Sequence, residues 1–516
     1  MLTKLPSEIL DIVIGLIPNC RDLKRLCEVC TRLYDIAIPH LYQSLILSAP
    51  EISLEDLRVE ARCVHHGVNG HFIDDAVQDG PAEFLTYDEN EEYEIMGGED
   101  EGMEKDHIVD PLSDLSYALG SLRFPDDQLR SFRWEVGTCI PEAIFCGNNS
   151  FLRNQGQIQS ITLITSGECG ANQDAQYLVD LVPFRELRSL DWKGLNRYND
   201  FMSVRECIKS HGHQIQSLTL DLLTWVRAEK TWADGFRQQS SQPTRVPDNF
   251  FSQSVLDIHP GGQKVIFSSL EKLHLSAVSF DHTDMEMAHT FNIEHLKSLK
   301  LRNCPGSLDC LQKDAYMHIT ETICNFIHNV SDLKDLYLML PEPIDWSTLT
   351  DRLSSHRHLK SFVMHHMVDR GGQNLIDGDI PWPLHLEHLL QEKLTCFGSS
   401  IPPSNLAIHL QRMQPRPSCK LIHVRTSGVF ETDLPYKPEE IYDFAQWAFS
   451  ADGLPNLQVL AWGDFSYGGR YSKFNLLLCK SDDGYQPLTA SNTVPWNIVQ
   501  DNLDMLAACP LDDILE

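Results

Sequence analysis

The stretch Leu296-Lys297-Ser298-Leu299-Lys300-Leu301 decides the fold, because its pattern L-x-x-L-x-L returns along most of the chain. Eight further stretches carry apolar residues at the same three positions, and they begin at Leu129, Ile158, Leu187, Ile215, Leu270, Leu333, Leu359 and Leu457. The nine starts are separated by 29, 29, 28, 55, 26, 37, 26 and 98 residues, so most intervals are close to one or two periods. Nine stretches in approximate register predict a structural repeat.

The period and the pattern within it are those of a leucine-rich repeat, in which each unit contributes one strand to a solenoid. The last two apolar residues of each stretch alternate with other residues, as in a strand with one buried and one open face. We therefore expect an α/β fold in which parallel strands and helices form an irregular solenoid over residues 111–516. Long insertions lie at 225–265 and 365–455, and a weak further strand is expected around Leu394 and Cys396.

The first 41 residues carry a helical pattern instead. Apolar residues recur at helical spacing in the first predicted helix: Ile9, Ile12, Val13, Leu16 and Ile17. Pro6 suits the first position of this helix, Asp22 is expected to cap a second helix, and Thr31 a third that Pro39 ends. Three short helices have too little interior to be stable alone, so we expect this unit to dock on a partner protein.

The segment that joins these two patterns is acidic. An alternating run at 42–49 predicts the first strand, and periodicity is then lost over residues 50–110. Residues 74–106 hold fourteen carboxylates against the single basic residue Lys105, a local balance of −13. This composition predicts a disordered, solvated insertion. A segment that is regulated by phosphorylation or binds a basic partner is the alternative.

Composition excludes several classes of function. A formal net charge of −31 argues against general binding of nucleic acid or anionic lipid, because both need a basic surface. Apolar runs fall short of the roughly eighteen residues of a membrane span, and the first residues lack the features of a signal peptide. The fifteen cysteines form no disulfide pattern. We expect an intracellular protein, cytoplasmic or nuclear, with reduced thiols.

The sequence offers no support for catalysis, a cofactor or a metal. Cys27-x-x-Cys30 has the spacing of a metal site, but no second pair follows at the required distance, so we expect both thiols in a core. The histidine pairs at 211/213, 356/358 and 365/366 lack the H-E-x-x-H arrangement. Phosphate-binding glycine loops and nucleophile motifs are not found either. A hydrolase or transferase hidden in the repeats would need a polar constellation that the sequence does not display.

Residues 1–41 resemble the F-box in four places: Leu5-Pro6, Ile9-Leu10, Asp22-Leu23 and Val29-Cys30-x-Arg32. The whole chain resembles the fungal-type F-box proteins with degenerate leucine-rich repeats. In that family the F-box binds a Skp-family adaptor, which links it to a cullin–RING scaffold, and the repeats hold the protein to be ubiquitinated. One departure is Leu33, because many F-boxes carry tryptophan at this position.

The resemblance implies an adaptor-binding surface formed by Leu5, Pro6, Ile9, Leu10, Leu16, Leu23, Val29, Cys30 and Leu33. Several of these residues could instead form the internal core of the three helices. For Ile12, Val13 and Leu26 we favour that internal position. The test of this distinction is the exposure of each side chain.

The open face of the predicted strands gives the one indication of a target. The residues expected to point outward there include Lys272, His274, Lys300, Arg302 and Tyr337. Such a local basic strip in an acidic protein could receive an acidic or phosphorylated peptide. Ordinary solvated charges are the alternative. The tryptophans Trp134, Trp192 and Trp462 fall on inward positions and are expected in the core.

Together these features favour a substrate-recognition subunit of an SCF-type ubiquitin ligase that catalyses nothing itself. Its F-box would dock on the adaptor, and its repeats would hold an unidentified target protein near the ligase. The alternative is an F-box and leucine-rich-repeat protein that acts as a scaffold outside the ligase.

Overall fold

The computed structural model describes residues 6–17, 20–41, 43–48, 126–136, 140–146, 150–165, 178–195, 198–222, 255–256, 266–276, 295–302, 304, 324, 327–328, 330–339, 345–365, 382–383, 385–425, 439–465, 475–481, 484–489 and 491–509. Over these residues the chain is mixed α/β, with eleven helices and one sheet of fourteen strands. The predicted acidic insertion at 50–110 lies outside the described residues.

The helices are α1 (Ser7–Gly15), α2 (Cys20–Cys27), α3 (Thr31–Leu41), α4 (Glu142–Phe145), α5 (Tyr198–His211), α6 (Trp346–Leu353), α7 (Leu386–Glu392), α8 (Pro403–Arg412), α9 (Glu439–Ala448), α10 (Thr493–Asp501) and α11 (Leu503–Leu506). The strands are β1 (Ser44–Ser48), β2 (Ser131–Glu135), β3 (Ser160–Ile164), β4 (Ser189–Leu195), β5 (Ser217–Leu222), β6 (Lys272–Ser276), β7 (Ser298–Arg302), β8 (Asp335–Met339), β9 (Ser361–Met364), β10 (Cys396–Ser399), β11 (Leu421–Val424), β12 (Val459–Trp462), β13 (Leu476–Ser481) and β14 (Gly484–Pro487).

Helices α1, α2 and α3 form a small unit, and the three predicted helices are confirmed. Their shared core consists of Leu10, Ile14, Leu23, Leu33 and Ala37. These residues cluster because each helix turns one apolar side toward the other two. The core is small, with only five fully packed residues among those described.

The helix ends differ in detail from the predicted ones. Helix α1 begins one residue after Pro6, which is its N-cap. Helix α2 begins two residues before Asp22, so Asp22 lies in the first turn instead of capping it. Helix α3 continues for two residues beyond Pro39, because a proline in the last turn removes only one helical hydrogen bond.

The fourteen strands lie in the sheet in the order in which they follow along the chain. Strands β1 to β12 are parallel, whereas β13 and β14 turn back and pair antiparallel. Neighbouring strands pair in register, so one apolar ladder crosses the sheet. Its members are Phe132, Ile161, Leu190, Leu218, Leu273, Leu299, Leu336, Phe362, Phe397, Ile422 and Leu460.

The predicted strands are confirmed. The nine stretches correspond to β2–β9 and β12, the run at 42–49 contains β1, and the weak strand around Cys396 is β10. Strand β11 is not among the predicted strands, although Cys419, Ile422 and Val424 take the three apolar positions of the L-x-x-L-x-L pattern. A cysteine at the first position hides the match, yet Cys419 is as buried as the leucines it replaces.

The main core lies between the sheet and the helices α4 to α9. Inward strand residues, including Trp134, Trp192 and Trp462, share this core with buried residues of the six helices. The predicted inward position of the three tryptophans is confirmed. We call the opposite side of the sheet the second face. It holds the residues that alternate with the ladder.

The second face is buried over its C-terminal half. Strands β8 to β13 place apolar residues there: Tyr337, Met339, Val363, Cys396, Leu421, Val459, Ala461 and Cys479. The chain covers them with its last described residues, among them Val499, Met505, Leu506, Ala508 and Cys509. These strands therefore have apolar residues on both sides, as strands buried on both faces do.

Gly194 lies at a bulge near the end of β4, and it allows β4 to come close to Thr165, the residue that follows β3. The pairing of β4 with β5 shifts between Lys193 and Leu195, and the intervening Gly194 has a φ of +79°. Thr165 donates its backbone N–H to the Lys193 carbonyl and its hydroxyl to the Gly194 carbonyl. A Cβ on Gly194 would collide with the Thr165 carbonyl oxygen. The site requires glycine for its backbone conformation and for space.

We expect Gly194→Ala to lower the free energy of unfolding by about 2–5 kcal/mol, because positive φ and backbone collision both oppose alanine. Gly484 is the matched control, since its φ is +121° but no atom lies within 4 Å of a Cβ placed there. Gly484→Ala should cost only about 1–2 kcal/mol. Denaturant titration measures both values, and equal losses would contradict the packing at Gly194.

Candidate functional site

Helix α1 exposes an apolar stripe on the side that faces away from the core of its unit. The exposed side chains follow one another at helical spacing: Ile9 (45% exposed), Ile12 (61%), Val13 (39%) and Leu16 (77%), the last just past the helix end. We call these four residues the α1 stripe. On the other side of the same helix, Leu10 and Ile14 are fully packed. The helix is thus apolar on two sides, and only one of them is covered by the chain.

Such a helix is unusual at a protein surface. A helix that is apolar nearly all round is normally buried, and a surface helix normally turns a polar side to water. Single exposed apolar residues need no explanation, but a continuous stripe is typical of an interaction surface. The α1 stripe therefore has the character of a docking surface for another protein.

The structure divides the predicted adaptor-binding residues into two groups. Pro6, Ile9, Leu16 and Val29 are exposed and accessible to a partner. In contrast, Leu10, Leu23 and Leu33 lie in the core of the unit, and Cys30 is half-buried against it. Leu10, Leu23 and Leu33 support the helices from inside and present almost no free surface, whereas Cys30 remains partly accessible. Leu5 lies outside the described residues.

The expected internal position of Ile12 and Val13 is wrong, because both side chains are exposed. The helix has two apolar stripes, one through Ile9, Ile12, Val13 and Leu16 and another through Leu10 and Ile14. Periodicity alone cannot tell which of two apolar stripes faces the core. Leu26, expected inside, is half-buried against the core.

The five predicted target-binding residues all lie on the second face, but most of them are not open to solvent. His274, Lys300, Arg302 and Tyr337 are buried, and only Lys272 is partly exposed. The expectation of an open strip is therefore wrong for these four residues. The C-terminal residues cause the difference, because they pack across the second face from far along the sequence.

The charges on the second face are balanced, so this surface is not a basic strip. Burial, together with the charge of Lys300, places the pKa of His274 well below its usual range, and the neutral ring hydrogen-bonds Ser298 Oγ at 3.0 Å. The guanidinium of Arg302 lies 3.8 Å from the Asp221 carboxylate, and both groups are buried. A positive and a negative group thus offset one another here.

The same balance holds on the neighbouring strand β4. Burial raises the pKa of Asp191, although Lys193 opposes the shift. The nearby Asp191 charge raises the pKa of Lys193, and burial opposes that shift. Asp191 and Lys193 thus offset one another on this strand. The sequence places both on the second face, but it does not show that they are buried together with the charges of neighbouring strands.

Polar contacts hold the C-terminal residues to the second face. The carbonyl of Cys509 accepts a hydrogen bond from Arg425 Nη1 at 2.6 Å and another from His365 Nδ1 at 3.1 Å. The Cys396 thiol donates to Asn502 Oδ1 at 3.1 Å. Arg425 and His365 were not predicted, and their position directly after strands β11 and β9 is the signal that could have identified them.

Neither metal binding nor membrane insertion gains support from the described residues. In that part of the chain, no group of three or more His, Cys, Asp or Glu side chains is arranged to hold a metal ion. None of its helices is both long enough and apolar enough to cross a bilayer. Cys27 and Cys30 are half-buried and pack against the core of the three-helix unit, as expected.

Comparison with known proteins adds no relative. No protein-family model matches the chain, and no curated protein matches it. The functional argument therefore depends on the geometry of the α1 stripe and of the second face. The F-box-like and repeat-like patterns in the sequence add to that geometry.

A pH dependence of stability follows from His423, whose Nε2 donates to the Gly463 carbonyl at 2.8 Å while Nδ1 is buried without a hydrogen-bond partner. Burial lowers the pKa of His423 to about 4. The unfolded chain protonates His423 near pH 6.5, whereas the folded chain does so only near pH 4. The contribution of His423 to the free energy of unfolding is therefore complete above pH 6.5 and is lost between pH 6.5 and 4.

Between pH 7 and pH 5 we expect His423 alone to remove up to about 2 kcal/mol of unfolding free energy, at about 1.4 kcal/mol per pH unit. In His423→Gln the loss over the same interval should be smaller by that amount. Denaturant titrations at both pH values measure it. Equal losses in the variant and the parent protein would contradict a neutral, buried His423.

Proposed function

We propose that the chain is a substrate-recognition subunit of an SCF-type ubiquitin ligase. In this proposal α1 to α3 are an F-box that docks on a Skp-family adaptor, and the adaptor connects the chain to a cullin–RING scaffold. The sheet and its helices are a degenerate leucine-rich-repeat solenoid that holds the target. The observation that carries the proposal is the exposed α1 stripe, which lies within the F-box-like segment and shares Ile9 and Leu16 with the adaptor surface implied by the resemblance.

The α1 stripe supplies a plausible source of binding energy. Complete burial of one aliphatic side chain is worth roughly 1.5–3 kcal/mol, and the four side chains of the stripe are already partly buried. Their remaining burial could contribute about 3–6 kcal/mol in total. Association has costs of similar size, so further contacts at exposed residues such as Pro6 and Val29 would be required for a stable complex.

The sheet is consistent with a solenoid. Each predicted period contributes one parallel strand, successive strands are neighbours, and helices α4 to α9 cover one side. In a solenoid each unit contacts mainly its neighbours, which creates a long surface for a partner. The chain would act by positioning, because holding a target beside the ligase raises the effective concentration of its lysines.

Charge substitution in the stripe tests the docking role. We expect Ile12→Glu/Leu16→Glu to weaken binding to a purified Skp-family adaptor at least tenfold, because each substitution would bury a carboxylate in an apolar contact. Both side chains are exposed in the free chain, so the fold should remain intact. Isothermal titration calorimetry measures the affinity, and circular dichroism verifies folding.

Ile408→Glu provides the matched control. Ile408 is an isoleucine on helix α8 with 46% exposure, similar to the stripe residues, and it lies far along the chain from the F-box-like motif. Its substitution should leave the adaptor affinity unchanged. If the folded parent chain does not bind the adaptor, or if both variants lose binding alike, the proposed docking role is wrong. Adaptor binding without recruitment of a cullin would instead favour the scaffold outside the ligase.

A further inference from the structure

The second face has two halves of different chemistry, and the C-terminal residues meet the border between them. Strands β4 to β7 place charged and polar residues on this face, whereas β8 to β13 place mainly apolar ones there, with Asp335, Ser361 and His423 as exceptions. Residues 488–489 and 491–509 cover the apolar half. Past the border, on the second strand into the polar half, the carboxylate of Asp504 pairs with the ammonium of Lys272 on β6.

Residues 503–509 fit this border in the way a bound peptide fits its receptor. The side chains of Met505 and Leu506 enter the apolar cluster of the second face. The sheet leaves room for Met505 at Gly398 on β10, because a Cβ on that glycine would lie 3.3 Å from Met505 Cε and only 2.8 Å from Val363 Cγ2. The surface is thus shaped for an apolar side chain at this point.

Polar groups on either side of this apolar contact fix the segment in place. On one side Lys272 pairs with Asp504, across 232 residues of sequence. On the other side, the buried Arg425 and His365 donate to the backbone carbonyl of Cys509. A receptor for an extended or briefly helical peptide uses the same combination of a side-chain charge, apolar pockets and hydrogen bonds to the peptide backbone.

We propose that residues 503–509 occupy the target-binding site of this chain as an internal ligand, and that the target presents an acidic residue beside two apolar ones. The inference rests on the proposed function for the statement that a target exists. The chain's own Leu503-Asp504-Met505-Leu506 is the template for the target segment. A target binds by replacing α11, so molecules with α11 in place have a lower apparent affinity.

Several features make α11 suitable for replacement. The helix has four residues, and its neighbour Asn502 has a non-helical conformation that separates it from α10. Leu503 and Asp504 are both about half exposed, so the pair with Lys272 is at the surface and contributes modestly. The fully buried side chains of Met505 and Leu506 supply most of the contact of the segment, and the tether adds a high effective concentration.

The probe is a fluorescein-labelled peptide of residues 499–509, with serine in place of the cysteine, added to the full-length chain. We expect Asp504→Asn in the chain to increase its affinity for the probe about threefold to fivefold, because the internal competitor has lost its ion pair while Lys272 is free for the probe. Fluorescence anisotropy measures the affinity. Asp501→Asn is the matched control, because Asp501 is an exposed aspartate of the same segment, and it should leave the affinity unchanged.

The double variant Asp504→Asn/Lys272→Met tests the site itself. Its affinity for the probe should be lower than that of Asp504→Asn by a similar threefold to fivefold factor. The inference is overturned if Asp504→Asn does not bind more tightly than the parent, if the increase persists without Lys272, or if no chain binds the probe. Adaptor binding, measured separately, is independent of these variants. Loss of probe binding with intact adaptor binding would reject only this inference, and the reverse would reject only the F-box assignment.

Discussion

The in-register pairing of each strand with the strands of the preceding and following periods is the constraint on which the other features depend. Leu299 lies beside Leu273 on one side and Leu336 on the other, and this ladder continues across the sheet. A shift of one residue in any pair would turn the ladder side chains away from the helices and bring charged ones into the core. The spacing of the apolar residues therefore selects one register and one order of strands.

This register also determines which residues lie on the second face. Residues between the ladder positions are mainly polar up to β7 and mainly apolar from β8 onward. The apolar half must be covered, and the polar residues of β5 to β7 nearest to it, such as Lys300 and Arg302, are buried as well. The chain covers the apolar half with its own last described helices. The cover reaches past the border between β7 and β8 as far as Lys272 on β6. In our proposal this is the place where a partner and the C-terminal residues compete.

Strands and helices with periodic apolar residues can be predicted from the sequence. Burial that depends on contacts between distant parts of the chain cannot. Eleven strands and three helices follow from periodicity, because the burial of a strand or of an amphipathic helix is reflected in the local spacing of its apolar residues. The burial of Lys300 and Arg302 could not be predicted, since it depends on residues some 200 positions further along the chain. In helix α1 the prediction failed for Ile12 and Val13, because two apolar stripes compete and only packing shows which one faces inward.

The central claim is that the α1 stripe is the surface by which the chain docks on a Skp-family adaptor. Hydrogen–deuterium exchange of the full chain, with and without the purified adaptor, tests it most directly because it localises the contact without any substitution. We expect added protection in peptides that cover Ser7–Gly15, and no change in the strands β5 to β9. Protection confined to the sheet, or no change anywhere at saturating adaptor, would contradict the account.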